Sequence, residues 1–311
     1  SRMGAVADAE MRLIASRVRA AQLRTAGSVR DSYWLWHRAR VEHDLARERL
    51  AGAQQIAADV ARRVKAGDLA RADQHQADGA MASAEVSLAE AVSVFAGATQ
   101  RLRAQTGNTP VAQATAMVQE ELAPDVSVDP DALNRRHPVI SEWSDRLEAA
   151  RRAVELAQVQ TRASPELSFA ATRDRGQFGD AYQQSLTVGL RMPLGADSRN
   201  QARLATAQAD AIEAETQLRL EQEQVLIGVE AARVQLDSAR TQLTASDRRS
   251  QLARELRTFI QKSFRLGETD LPTRLRIELE AIDAERQAAR ARIELAASIS
   301  ALRQALGLLP E

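Results

Sequence analysis

The chain has 311 residues, and its 42 basic and 42 acidic side chains give a formal net charge of zero at pH 7. Sixty residues are alanine, forty arginine and only two lysine, with ten aromatics and no cysteine. Disulfide scaffolds, thiolate metal sites and thiol nucleophiles are thereby excluded. A neutral balance argues against nucleic-acid binding, which calls for a basic face. Few aromatics among many alanines favour long helices packed through small side chains over a large globular core. No apolar run is read as a membrane helix, and no signal-peptide pattern opens the chain.

From Ala5 to about Val64 proline is absent, and apolar or small residues recur three and four apart, as in Ala5, Ala9 and Leu13. That spacing predicts a helix of about 60 residues, roughly 90 Å long. Such a helix needs a coiled-coil-like neighbour. Lys65-Ala66-Gly67-Asp68 predicts a break, with Gly67 past the helix end and Asp68 as the next N-cap. A second helix runs from Leu69 to about Gln105 and stops at Gly107-Asn108-Thr109-Pro110. Residues 108–138 read as a connector punctuated by four prolines, with at most one short helix near Ala112–Glu121. A helix leading the second repeat follows over 139–163.

Residues 164–195 change period. Leu167, Phe169 and Ala171 alternate with Ser168, Ala170 and Thr172. After Gly176-Gln177-Phe178-Gly179, Tyr182, Leu186, Val188, Leu190 and Met192 share one face, opposite Ser185, Thr187 and Gly189. Period two around a glycine-rich turn predicts a β-hairpin. Its apolar and polar faces suit the wall of a membrane barrel or, alternatively, a soluble hairpin on a helical surface. Residues 196–311 return to long helices, broken at Arg265–Asp270 and ending at Gly307.

This last part repeats residues 1–107 at a fixed offset of 200. Gly67 corresponds to Gly267, Val29 to Val229, Ala84-Glu85 to Ala284-Glu285, Leu102-Arg103 to Leu302-Arg303, and Gly107 to Gly307. A matched break and stop identify an internal repeat. The second copy is preceded by a helix and a strand pair, so the repeat predicts the same prelude ahead of Ser1. The expected fold is mainly α, with long antiparallel coiled-coil helical hairpins in two structural repeats plus one β-hairpin of a transmembrane β-barrel.

This order of elements resembles the outer-membrane efflux protein family, the TolC-like channels. Arg136-His137-Pro138 is similar to the family's repeat opening, and Ser164-Pro165-Glu166-Leu167 to its entry into the barrel strands. Leu190-Arg191-Met192-Pro193-Leu194 resembles the strand exit. Phe264-Arg265-Leu266-Gly267-Glu268-Thr269-Asp270 resembles a hairpin tip, and Ala305-Leu306-Gly307 the repeat end. The resemblance implies a homotrimer in the outer membrane whose helices form a tunnel in the periplasm of a Gram-negative bacterium. It further implies docking to a periplasmic adaptor and an inner-membrane pump, for export of small solutes or metal ions, with a slight leaning to the heavy-metal (CzcC-like) branch. On that resemblance the docking tips are Ala66, Gly67, Asp68 and Leu69 in repeat one, and Leu266, Gly267, Glu268 and Thr269 in repeat two. Candidate aperture positions are Asp73, Thr273 and Arg276, and Leu186, Val188 and Leu190 are the lipid-facing strand residues. The family's acidic aperture ring is not matched at Thr273 and Arg276. Six strands from three such chains are too few for a wide aqueous pore.

No cofactor, metal site or catalytic constellation is expected. His37, His43, His75 and His137 lack the i, i+4 pairing of helical metal ligands. In Tyr33-Trp34-Leu35-Trp36, Tyr33 and Trp36 are expected to pack inside and Trp34 to be partly exposed. The competing reading is a soluble coiled-coil scaffold or adaptor built of two helical hairpins.

Overall fold

The computed structural model describes residues 2–107, 121–124, 129–159, 166–175, 183–191 and 197–310. Among them the elements run α1 (Arg2–Ala66), α2 (Arg71–Thr106), α3 (Pro130–Arg136), α4 (Pro138–Val159), β1 (Glu166–Asp174), β2 (Gln183–Arg191), α5 (Asp197–Arg265) and α6 (Leu271–Ala305). The chain divides into two compact units, Ser1–Ala20 with Asn134–Gln224, and Ala21–Leu133 with Val225–Glu311.

In the first unit, the start of α1, α4 and the start of α5 pack through small residues. Ala9, Ser16, Ala20 and Ala214 are buried with Ile140 and Leu147. Ion pairs Arg17–Glu142 and Arg151–Glu215, each at 3.6 Å, tie these helices together. Pro138 opens α4 where its missing N–H is not needed, and the buried His137 precedes it, its carbonyl accepting from Ser141 N at 2.9 Å. Strands β1 and β2 pair antiparallel, from Glu166 opposite Arg191 to Asp174 opposite Gln183. Each has nine described residues. Tyr182, Met192 and the turn glycines Gly176 and Gly179 lie outside the described residues.

In the second unit four long helices lie side by side. α2 packs on α1 through Trp36, Ala39, Ala98 and Leu102, with Trp36 Nε1 donating to Thr99 Oγ1 at 3.1 Å. α1 packs on α6 through Trp34, Ile293, Ala296 and Ala297. α6 packs on α5 through Leu302, Val229 and Leu236. Towards the tips all four helices meet, in a cluster of Ile56 and Val60 (α1), Ala77 (α2), Phe264 (α5) and Leu271 (α6). Alanine at the contacts lets the backbones approach closely, and Arg–Glu pairs such as Arg38–Glu294 (2.9 Å) border the seams.

Three expectations are corrected here. Trp34 is buried, because its side of α1 faces the small residues of α6. The connector's described helix is α3 at Pro130–Arg136, opened by Pro130 and anchored by Leu133 against α5 and α6. The helix expected near Ala112–Glu121 falls outside the described residues, apart from Glu121 itself. Lastly, α2 is long and apolar enough, by length and composition alone, to cross a membrane. Its apolar stretch is only 6% buried within the chain. Alanine and valine accumulate there, with Val86, Val92 and Val94 exposed.

Candidate functional site: the helical tips, the strand pair and the outer helix faces

Both tips are built on glycine for a backbone reason. Gly67 and Gly267 have φ of +86° and +77°, the left-handed region in which an L side chain is strained. At the first tip Gly67 N donates to Val64 O (3.1 Å) and Asp68 N to Arg63 O (2.9 Å). At the second, Gly267 N donates to Phe264 O (3.2 Å) and Glu268 N to Ser263 O (3.0 Å). Each pair of bonds closes a Schellman motif and satisfies the last carbonyls of the helix. Gly107 and Gly307 share the left-handed conformation, so all four positive-φ glycines among the described residues fall in pairs 200 apart. The repeat is therefore written in backbone geometry as well as in sequence.

Asp68 is not the N-cap of α2. Its N–H is consumed by the Schellman bond, and the cap is Ala70. Alanine has no capping oxygen, so Asp73 reaches back to accept from Ala70 N at 3.0 Å. In the second repeat the roles reverse: Asp270 caps α6 by accepting from Thr273 N at 3.0 Å. Each repeat keeps one half of a capping box. Two aperture candidates, Asp73 and Thr273, are thus engaged in caps, and the third, Arg276, is exposed and paired with Glu280 at 2.7 Å.

Ala66, Gly67 and Asp68 are exposed, while Leu69 folds back onto the tip core. At the second tip Leu266 is 74% exposed, Gly267 and Glu268 are exposed, and Thr269 shares a 2.6 Å hydrogen bond with Ser263. Beneath them Ile56, Val60, Ala77, Phe264 and Leu271 form one cluster. The buried Phe264 ring lies between the guanidinium groups of Arg63 (4.8 Å) and Arg274 (4.6 Å). Asp59 pairs with both, at 3.4 and 3.7 Å. This clamp joins repeat one to repeat two at the tips and left no periodic trace in the sequence.

The strand pair is two-faced. Leu167, Phe169 and Ala171 lie opposite Leu190, Val188 and Leu186. The five larger residues of this face are 57 to 74% exposed. The other face carries Ser168, Thr172, Ser185 and Thr187, with Ser168 Oγ donating to Gly189 O at 3.3 Å. Six apolar side chains on one side of a single hairpin leave a surface with no partner among the described residues.

Helices α2 and α5 also present faces with no partner among the described residues. On α5, Ile227 and Val234, seven residues apart, and Leu252, Leu256 and Phe259, at four- and three-residue steps, are exposed. On α2 the corresponding row mixes small residues, Gly79, Ser83, Ser93 and Gly97, with Val86 and Glu90, all exposed. A Cβ added at Gly79 or Gly97 would meet nothing within 4 Å.

Sequence reading missed one buried polar assembly. Arg30 holds Glu121 bidentately, at 3.1 Å from Nε and 2.5 Å from Nη2. Ser300 also donates to this carboxylate, and Arg303 lies 3.5 Å from it while donating to Leu122 O at 3.0 Å. Arg30 Nη1 donates further to Gln304 Oε1 (2.7 Å) and Leu308 O (3.0 Å). The cluster pins the connector to α1 and α6. Its members are scattered along the chain, so no local pattern announces them.

Long paired helical hairpins joined to an amphipathic strand pair define the architecture of a TolC-like channel protomer, and the chain has that fold. It aligns with the Campylobacter jejuni CmeC outer membrane channel over 97% of its own length and 66% of that chain, at 15% identity and a TM-score of 0.81. With the outer membrane protein VceC of Vibrio cholerae the coverage is 99% and 75%, at 19% identity and a TM-score of 0.77. With the outer-membrane channel OprN it is 98% and 71%, at 23% identity and the same TM-score. The chain therefore spans about two-thirds to three-quarters of these solved chains. No protein-family model and no curated protein matches the sequence.

Proposed function

We propose that the chain is a protomer of an outer-membrane duct that carries small solutes or metal ions out of the periplasm, coupled to a periplasmic adaptor and an inner-membrane pump. The observation that carries this reading is the strand pair. A nine-residue strand is long enough to cross a bilayer when tilted, and an unpartnered apolar face opposite a hydroxyl-rich one matches lipid outside and water inside. The likeness in fold to solved outer-membrane channels supports the same reading. Spin labels at Leu186, Val188 and Leu190 in the membrane-embedded protein are expected to be accessible to oxygen and shielded from water-soluble relaxants. Labels at Ser185 and Thr187 are expected to behave in the opposite way. Equal accessibility on both faces would favour the soluble-scaffold alternative.

The protomers associate as a closed homotrimer. The exposed residues of α5 are bulky and those at Gly79 and Gly97 of α2 leave space, so one copy's α5 fits the next copy's α2 head to tail. Such heterologous contacts close into rings when the rotation permits. Interior helical glycine costs about 1 kcal/mol relative to alanine. Among the described residues nothing lies near Gly79 or Gly97 to justify that cost, whereas a bulky surface from a second copy does. Leu256 lies 11 residues before Gly267 and Gly79 lies 12 after Gly67, which puts the bulky and the empty position at one level above the tips.

The adaptor meets the tips, with Leu266 as the apolar contact and Ala66, Gly67, Asp68, Gly267 and Glu268 around it. Leu69 and Thr269 support them from within. The aperture lies at the level of Asp73, Thr273 and Arg276, without an acidic ring. Bulky replacements of Gly67 or Gly267 would strain the caps, so Leu266→Asp is the cleaner probe. It is expected to cut adaptor co-purification and solute tolerance at least tenfold while leaving the melting temperature unchanged. Unaltered co-purification would remove the second tip from the docking surface.

A further inference from the structure

We propose that a cavity directly above the tip core is a binding site for an uncharged, largely apolar small molecule. It has a volume of about 340 Å³ and lies among all four long helices of the second unit. That size falls within the range of small-molecule sites. Ile56, Ala77 and Leu275 form its floor and belong also to the cluster that holds the tips together. Leu45 and Ile282 continue the apolar wall. This apolar part of the lining offers no hydrogen bonds to water and favours an apolar guest.

The polar rim sets the charge of the guest. Arg49, Arg254 and Arg257 are balanced by Glu48, Glu278 and Glu285. Of these acids, the two most enclosed are already engaged. Glu285 accepts from Arg254 Nε at 2.8 Å and Arg257 Nη2 at 3.3 Å, and Glu278 accepts from Gln261 Nε2 at 3.3 Å. A charged ligand would have to displace these pairs in a partly desolvated setting, whereas a neutral one leaves them intact. The guanidinium groups can still donate to a carbonyl or ether oxygen.

Gly52 is the residue that keeps the space open. It sits in the interior of α1, where glycine is unfavourable relative to alanine, and a Cβ there would meet nothing within 4 Å. Filling the cavity from α1 or from α2 is therefore possible without a clash in the chain at Gly52. Because the floor is shared with the tip core, occupancy braces the two hairpins against each other just above the docking end.

The test is photolabelling of the full protein in lipid nanodiscs with benzophenone, an uncharged aromatic ketone, followed by peptide mapping. Saturable labelling is expected on the α1 segment 45–56 and the α6 segment 275–282. Gly52→Leu and, independently, Ala80→Leu should each lower it at least tenfold. If Gly52→Leu loses helix content, Ala80→Leu decides alone. Labelling confined to the strand pair, or helical labelling that a folded cavity-filled variant retains, would overturn the proposal. The readout involves no transport, so its failure leaves the duct reading untouched.

Discussion

Glu121→Ala is expected to destabilise the protein by about 3–5 kcal/mol, the cost of leaving buried charge without its counterion. Arg30 and Arg303 are both buried, and Glu121 is the carboxylate that meets them, with Ser300 adding a hydrogen bond. Removing it takes this carboxylate away from two neighbouring buried guanidinium groups. Arg30→Met combined with Glu121→Ala should recover part of the loss, since the double change removes one stranded charge along with its partner. Chemical denaturation of the four proteins completes the cycle, and a loss below about 1 kcal/mol for Glu121→Ala would contradict the network's structural weight.

The same carboxyl makes a pH prediction. Burial alone would raise its pKa, but hydrogen bonds from Arg30 and Ser300 and the charges of Arg30 and Arg303 outweigh burial and hold it below its ordinary value of 4.5. A carboxyl depressed in the folded state contributes stability that is fully present above its unfolded pKa. That contribution is lost as pH falls below about 4.5 and through the folded value.

His37 is expected to give the second large effect, in a different pH window. Its ring is buried among Tyr33, Trp34 and Trp36, with centroids 4.4, 5.8 and 4.9 Å away, and its Nε2 has no hydrogen-bond partner among the described residues. Burial, assisted by the nearby charge of Arg40, lowers its pKa from 6.5 to about 4. Between those values the unfolded chain binds a proton that the folded one refuses, so stability falls as the solution is acidified. At about 1.4 kcal/mol per pKa unit the total is about 3 kcal/mol, lost between pH 6.5 and pH 4. His37→Phe should abolish the slope in that window while leaving the Glu121 loss at lower pH. Urea midpoints followed from pH 7 to pH 4 will show it; a wild-type midpoint that stays flat over that range would refute the assignment.

Much of the architecture was legible because its determinants are local. Four glycines at an offset of 200 mark left-handed caps that few other residues tolerate, so the breaks in both hairpins could be read directly. The apolar face of the strand pair was legible in the same way, since alternation in sequence is alternation in space. Other features depend on distance in the chain. Arg30, Glu121 and Arg303 belong to three separate elements, and Phe264 meets Arg63 only because the tips of both repeats pack together. Trp34 looked exposable beside Trp36, yet the two indoles face different neighbours, α6 and α2. Asp68 carried the composition of an N-cap, but the cap position of α2 falls two residues later, at Ala70, with Asp73 accepting from its N–H. The outer faces of α2 and α5 became readable only when the packing order left them uncovered.

Because the chain contains no cysteine, introduced thiols report one contact without background. The most direct measurement of the proposed assembly is cross-linking of Gly79→Cys/Leu256→Cys by a short bis-maleimide in the outer membrane, read on a denaturing gel. A ladder of covalent dimer and trimer that stops at trimer is the predicted result, with each single-cysteine protein remaining monomeric. Monomer alone from the double variant, or a ladder running past trimer, would contradict a closed three-fold duct.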